Sequence, residues 1–238
     1  MKIPKRISPC PIVEVIVEIR FEPKIPPDAI FGLVYNSLKG EYPQVKKLPI
    51  LEIPDVIRSN EPGLKFKPYN QLLNENFIAQ IGPRVFSLSN RKEYVGWSEF
   101  YGRITSSFSK LAELDMMSNV ARLGIRYINF FRFDIFEKIN LEILMNRKAL
   151  PSTQTVVRAE LKDGNFKNVL HIANKAEVTI DGKRNRGSII DIDTVLEQRM
   201  PDFFGKMQGI LQEGHEKEKR LFFSLLKTEY LETLNPEY

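Results

Sequence analysis

Two segments of this chain carry carboxylates and guanidinium groups at even spacings, as residues on one face of a β-strand would be spaced. These positions are Glu14, Glu18 and Arg20 in residues 13–21, and Arg122, Arg126 and Arg132 in residues 122–133. If the two strands are neighbours, the groups form an ion-pair network across them. Alternatively, the face lines a groove in which Arg20 and Arg126 hold an anionic ligand.

Asn129 interrupts the otherwise apolar face of the second segment. A buried amide must find hydrogen-bond partners, which favours a role in fixing a backbone turn or bulge. Contact with a substrate is the alternative.

His215 is followed by Glu216 and Glu218 in a predicted helix. This pattern is typical of a solvated helix face or a satisfied polar contact, and a general base is the alternative. The other histidine, His171, lies in a predicted strand. Neither histidine has a histidine or cysteine partner at metal spacing, so the sequence predicts no zinc site.

Asp191 and Asp193 share a strand face and, beside Glu197, are candidates to hold Mg²⁺. The alternation around them is also that of an ordinary amphipathic strand, so the prediction is of no metal and no cofactor. The sequence contains no GxxxxGK[ST], GxGxxG, GxSxG or HExxH motif, which lowers the odds of the enzyme classes that depend on them.

The basic residues give a net charge of +5 and a pI of about 9.1. They cluster at three predicted turns, in Lys46-Lys47, in Arg91-Lys92, and in Lys183-Arg184 with Arg186. Solvated turns explain such clusters, and a phosphate-contacting patch is the alternative.

The 238 residues leave room for one large domain or two small ones. There is no apolar run of membrane-spanning length and no apolar signal core, and Cys10 is the single cysteine. These features predict a cytoplasmic protein that does not contact a membrane.

Hydrophobic periodicity predicts an α+β protein. The expected helices lie at about 28–40, 98–114 and 201–223, with a continuation to 234 and a short helix at 138–146. Hairpins are expected around Gly82-Pro83 and Asp163-Gly164, and an edge strand at 48–58.

The tripeptide Ile19-Arg20-Phe21 returns about 106 residues later as Ile125-Arg126-Tyr127, and the predicted elements follow the same offset. We therefore expect two strand–helix–antiparallel strands–helix halves, residues 1–118 and 119–238. Together they would form one curved antiparallel sheet with helices packed on one face, an element order that resembles the TATA-binding protein.

Several motifs resemble those of a sporadically distributed family of uncharacterised prokaryotic proteins. They are Pro11-Ile12-Val13-Glu14 with Glu18-Ile19-Arg20-Phe21, Tyr42-Pro43, Tyr94-Val95-Gly96-Trp97, the segment LGIRYIN at 123–129, and His215 with Phe222. The resemblance spans nearly the whole chain and implies no activity or cofactor.

The sequence thus favours a binding or regulatory module for an anionic ligand, nucleic acid or a partner protein. The alternative is an enzyme that uses Glu14, Arg126 and His215 in the groove between the halves. An exposed stripe on the last helix would indicate a homodimer or partner protein, and its expected members are Leu221, Phe222, Leu225 and Leu226.

Overall fold

A computed structural model of the protein describes residues 2–90, 93–149, 154–180 and 182–238. It is an α+β protein with a large antiparallel sheet. The strands are β1 (Ile12–Pro23), β2 (Gln44–Lys47), β3 (Asn70–Leu73), β4 (Phe77–Gly82), β5 (Val85–Asn90), β6 (Met117–Phe131), β7 (Leu144–Met145), β8 (Lys148–Ala149), β9 (Val156–Asp163), β10 (Phe166–Ile180) and β11 (Lys183–Met200).

Nine of these strands form the large sheet, in the order β2-β3-β4-β5-β1-β6-β11-β10-β9, while β7 and β8 pair with each other. The α-helices are α1 (Pro27–Leu38), α2 (Asp55–Asn60), α3 (Trp97–Glu113), α4 (Phe203–Leu225) and α5 (Thr228–Glu232). Both predicted hairpins are confirmed, as β4–β5 and β9–β10. The long predicted helices are confirmed as α1, α3 and α4, with α5 as the continuation.

The chain divides into two compact units, of which the first comprises Glu14–Ile125 and Val195–Gln212. In this unit every second residue of β1 from Val15 to Phe21 is buried. Helix α3 packs aromatic rings on the sheet, with Phe100 6.2 Å from Phe77 and Phe108 6.0 Å from Phe86 between ring centroids. The alternation that predicted β1 therefore reflects burial of one strand face.

The second unit comprises Met1–Val13, Arg126–Thr194 and Glu213–Tyr238. Its core joins alternate residues of β10 and β11, such as Leu170 and Ile190, to the C-terminal end of α4 and to α5. The apolar stripe expected on the last helix belongs to this core. Phe222, Leu225 and Leu226 are buried and Leu221 packs against the same cluster, so they form no exposed surface for a partner.

Two element predictions are wrong. Residues 48–58 form a 3-10 helix, Pro49–Glu52, and the start of α2 rather than a strand; Pro49 is at the first turn, where proline suits a helix. Residues 138–146 form no α-helix. The Asn140 N–H instead donates to the Leu225 carbonyl at 2.6 Å, and Ile139 forms a bridge with Leu226. A tertiary partner therefore replaces the helical hydrogen bonds there.

Candidate functional site

One of the expected charge pairs between β1 and β6, Glu18 with Arg122, is present in the first unit. Glu18 Oε1 accepts hydrogen bonds from Arg20 Nε and from Arg122 Nη1, both at 2.8 Å. The Arg20 guanidinium also lies 4.9 Å from the ring centroid of Phe66, close enough for a cation–π contact. Glu14 lies half-buried on the same face of β1. These contacts describe a satisfied ion-pair network.

Arg126 lies in the second unit and pairs with Asp191 of β11. Its Nε and Nη2 donate to the two carboxylate oxygens at 2.8 and 2.6 Å, a bidentate arrangement. The Asp191 side chain is 11% exposed and that of Arg126 is 44% exposed. Sequence reasoning missed this pair because only the folded sheet places β11 beside β6.

The same pair bears on the Mg²⁺ alternative. Both carboxylate oxygens of Asp191 already accept hydrogen bonds from Arg126, which competes with metal coordination. Among the residues that the structure describes, no group of three or more His, Cys, Asp or Glu is placed to hold a metal ion.

Asn129 is buried, and its Nδ2 donates to the Ile190 carbonyl oxygen at 3.2 Å. The amide therefore does find a backbone partner, as a buried amide must. It lies within the continuous strand β6 and bonds to β11, so it supports strand pairing rather than a turn.

His215, a residue of α4, contacts Tyr127 of β6. The Tyr127 hydroxyl lies 3.1 Å from His215 Nδ1, and the two rings are 5.8 Å apart. Burial, aided by the charge of Lys219, lowers the pKa of His215 to about 3. The imidazole is therefore neutral at physiological pH and too weakly basic to make an efficient general base there.

Glu218 lies one turn further along α4 and is buried, with 4% of its surface exposed. Of the two expected settings, a solvated helix face or a satisfied polar contact, burial of Glu218 contradicts the first. Burial raises the pKa of the carboxyl to about 8, against the smaller opposing effect of Lys219. The signal that could have placed it is its spacing, four residues before the buried Phe222 on the same helix face.

The structure does not bring Arg126 and His215 together. Tyr127, which contacts His215, follows Arg126 directly in β6. Successive side chains of a strand point to opposite faces, so Arg126 and His215 lie on opposite sides of the sheet.

The third basic cluster has a distinct setting, at the end of the β10–β11 hairpin. We call residues 175–186 the basic ribbon. Its described residues are exposed or half-buried, without a buried one among them. The net charge of residues 175–186 is +2, from the four cationic residues Lys175, Lys183, Arg184 and Arg186 and the two acidic residues Glu177 and Asp181.

The basic ribbon extends beyond the strands that flank β10 and β11. The described pairing of β9 with β10 runs to Ala173, and the Asn174 N–H still donates to the Thr155 carbonyl oxygen at 3.1 Å. On the other side β6 ends at Phe131, whose carbonyl oxygen lies beside Gly187. Among the residues that the structure describes, no further strand therefore pairs with the ribbon, and its described side chains are exposed or half-buried.

The other basic clusters differ. Lys46 and Lys47 are exposed in the edge strand β2 rather than in a turn, and Arg91-Lys92 lies outside the described residues. The Cys10 side chain is exposed.

No family model and no curated protein matches this sequence, and no solved structure matches its fold. In the part of the chain that the structure describes, no helix is long and apolar enough to cross a membrane.

Proposed function

We propose that this protein is a nucleic-acid-binding module that binds duplex DNA through the basic ribbon. The observation that carries the proposal is a two-stranded ribbon with Lys183, Arg184 and Arg186 exposed on one strand. A two-stranded β-ribbon fits the major groove of B-form DNA. Arginine and lysine side chains on such a ribbon contact phosphates, which contribute most of the non-specific affinity.

Duplex DNA suits this surface better than duplex RNA. The major groove of A-form RNA is deep and narrow, and protein side chains cannot read it. Single-stranded nucleic acid is bound mainly by stacking on aromatic side chains, and residues 175–186 contain no aromatic residue. The net charge of +5 favours association with any polyanion.

The experiment measures fluorescence anisotropy of a labelled duplex at about 50 mM and about 200 mM salt. We expect binding that weakens steeply with salt. The double variant Arg184→Gln/Arg186→Gln should reduce the slope of log K against log salt by about 2, since each lost phosphate contact removes about 0.9.

The matched control is Lys39→Gln/Lys206→Gln, which removes the same charge elsewhere. Lys39 is exposed, and the Lys206 side chain is 72% exposed on α4. An equal loss of DNA affinity and of salt dependence in the two double variants would contradict the proposal. The absence of DNA binding at the lower salt concentration would contradict it too.

The enzyme alternative has no comparable support. It needs Arg126 and His215 in one groove, and these residues lie on opposite faces of the sheet. The low pKa of His215 also argues against proton transfer there at neutral pH.

We further propose that the sheet arose by duplication of a smaller unit, with the TATA-binding-protein-like element order. The strand order supports this proposal. In each half the first strand lies beside the last, as β1 beside β5 and β6 beside β11, and the two first strands are neighbours. We also propose that the two halves meet at 118/119 and that the sheet is curved. The family resemblance and a cytoplasmic location are likewise proposals.

A further inference from the structure

The strand β9 lies at one end of the sheet order, and its only strand neighbour in the described part of the chain is β10. It is eight residues long and carries exposed apolar side chains, with Val156 61% and Leu161 40% exposed. Long exposed edges with apolar side chains attract other strands, and proteins usually protect them with lysine or with shorter strands. Strand β9 carries a single lysine, Lys162, near its end, whereas the opposite edge, β2, is only four residues long and ends in Lys46-Lys47.

The β9–β10 hairpin fixes which backbone groups of β9 face outwards. Asp163 and Phe166 pair across a two-residue turn that begins with Gly164, whose φ is 63°. Residues that flank such a turn form a hydrogen-bonded pair, and bonded and non-bonded pairs then alternate. The even-numbered residues therefore direct their N–H and C=O groups away from β10, namely Val156, Arg158, Glu160 and Lys162.

We propose that this edge is a homodimerisation surface, on which β9 pairs antiparallel with β9 of a second copy about a twofold axis. A symmetric antiparallel pair uses the same strand from both copies, so the surface must complement itself. Two backbone-compatible registers pair seven residues of β9 with seven of the second copy, and the charges are complementary in one of them. A shorter register, with Leu161 opposite Leu161, pairs Glu160 with Lys162 but overlaps over five residues only.

In the complementary register of seven paired residues, Ala159 lies opposite Ala159 of the second copy. Outward-facing Arg158 then lies opposite Glu160 of the second copy, and the symmetry makes this contact twice. The other register of seven paired residues places Glu160 opposite Glu160 and Arg158 opposite Lys162. Like charges directly opposite each other are destabilising, so the sequence selects the first register.

The apolar residues of β9 agree with the same register. Val157, which packs against the core cluster, lies opposite the exposed Leu161 of the second copy, again twice. In the single chain Arg158 and Glu160 already bond to each other at 2.7 Å, and Glu160 contacts Lys167 at 3.1 Å. The dimer extends this local cluster across the axis without burying an unpaired charge.

Sedimentation velocity of the full chain from about 1 μM to about 300 μM tests the proposal. We expect a monomer–dimer equilibrium. Arg158→Glu should weaken dimerisation at least about tenfold because it places two carboxylates opposite each other. The charge-swapped variant Arg158→Glu/Glu160→Arg should restore it, since the swap preserves every cross-axis pair.

A backbone variant provides a second test. Glu160→Pro removes an N–H that faces away from β10, so the hairpin is retained while the edge is blocked. Its dimerisation should be lost, whereas Lys47→Glu on β2, the control, should dimerise like the wild type. Three results would overturn the proposal. The wild type is a monomer at every concentration, or the dimer persists in both Arg158→Glu and Glu160→Pro, or the charge-swapped variant dimerises as weakly as Arg158→Glu.

Discussion

At the scale of single residues, two arginines predicted to bind an anion already have carboxylate partners. Arg20 bonds to Glu18, and Arg126 bonds to Asp191 in bidentate geometry. A ligand anion would have to compete with these partners. Partly exposed pairs contribute about 0–1 kcal/mol each. The Arg126–Asp191 pair joins β6 to β11, whereas Arg20 and Glu18 both lie in β1. The exposed cations of the basic ribbon are better placed to bind a phosphate.

Burial decides the protonation state of two residues of α4, His215 and Glu218. His215 is held neutral by a pKa of about 3, and Glu218 is held protonated at neutral pH by a pKa of about 8. The two groups affect stability oppositely as the pH falls below 6.5. Below pH 6.5 the unfolded chain gains stability because its histidine binds a proton and the folded His215 does not. The folded state gains stability from Glu218 over the same range, because less free energy is needed to protonate this carboxyl on folding as the pH falls towards 4.5.

We predict that Glu218→Gln stabilises the protein at neutral pH. Between pH 4.5 and 8 the carboxyl is ionised in the unfolded chain and protonated in the folded one, so stability falls as the pH rises through this window. The variant lacks this loss and should be more stable than wild type by about 3 kcal/mol at pH 7. Urea unfolding monitored by circular dichroism measures the difference.

The same comparison at pH 5 is the control, because there the difference should shrink below about 1 kcal/mol. His215 titrates in both proteins and cancels from the difference. An unchanged difference between pH 5 and pH 7 would show that ionisation of Glu218 is not the cause.

At the scale of elements, the base of the basic ribbon depends on one glycine. A Cβ at Gly187 would lie 2.1 Å from the Phe131 carbonyl oxygen and 2.8 Å from the Phe130 ring. The backbone oxygen cannot move aside without disturbing β6, so only glycine lets β11 pass the end of β6 at this distance.

We predict that Gly187→Ala destabilises the protein by about 1–3 kcal/mol, the usual cost of forcing a methyl group into a packed site. Gly209→Ala in α4 adds the same methyl group where no atom lies within 4 Å, and it should stabilise the helix by up to about 1 kcal/mol. Thermal and urea unfolding measure both effects. Equal stability of the two variants would contradict the close approach at Gly187.

At the scale of the whole molecule, strand position should determine the order of amide hydrogen exchange. The central strands β1 and β6 have neighbours on both sides, whereas the basic ribbon lies beyond its flanking strands. We predict that the ribbon exchanges at least about 100-fold faster than the centre of β1, because it opens without disrupting the core.

Mass spectrometry of exchange with and without duplex DNA checks this prediction. Added DNA should slow exchange in the ribbon of the wild type and leave the ribbon of Arg184→Gln/Arg186→Gln unchanged. Ribbon exchange as slow as that of β1 in free protein would contradict the exposed, two-stranded geometry.

The sequence by itself determined the elements whose pattern is local. Alternation gave β1 and β6, glycine-containing turns gave the hairpins β4–β5 and β9–β10, and helical spacing gave α1, α3 and α4. The pairing of Glu18 with Arg122 followed once β1 and β6 were taken as neighbours. Such features depend on period and turn chemistry, which neighbouring residues contain in full.

The tertiary structure alone decided which strands are neighbours and which helix faces are covered. It paired Arg126 with Asp191, buried Glu218, and replaced an expected helix at 138–146 with bonds to the end of α4. It also left the β9 edge and the basic ribbon exposed. These outcomes depend on contacts between residues distant in sequence, and the burial that sets a pKa or leaves a strand edge open exists only after the chain has packed.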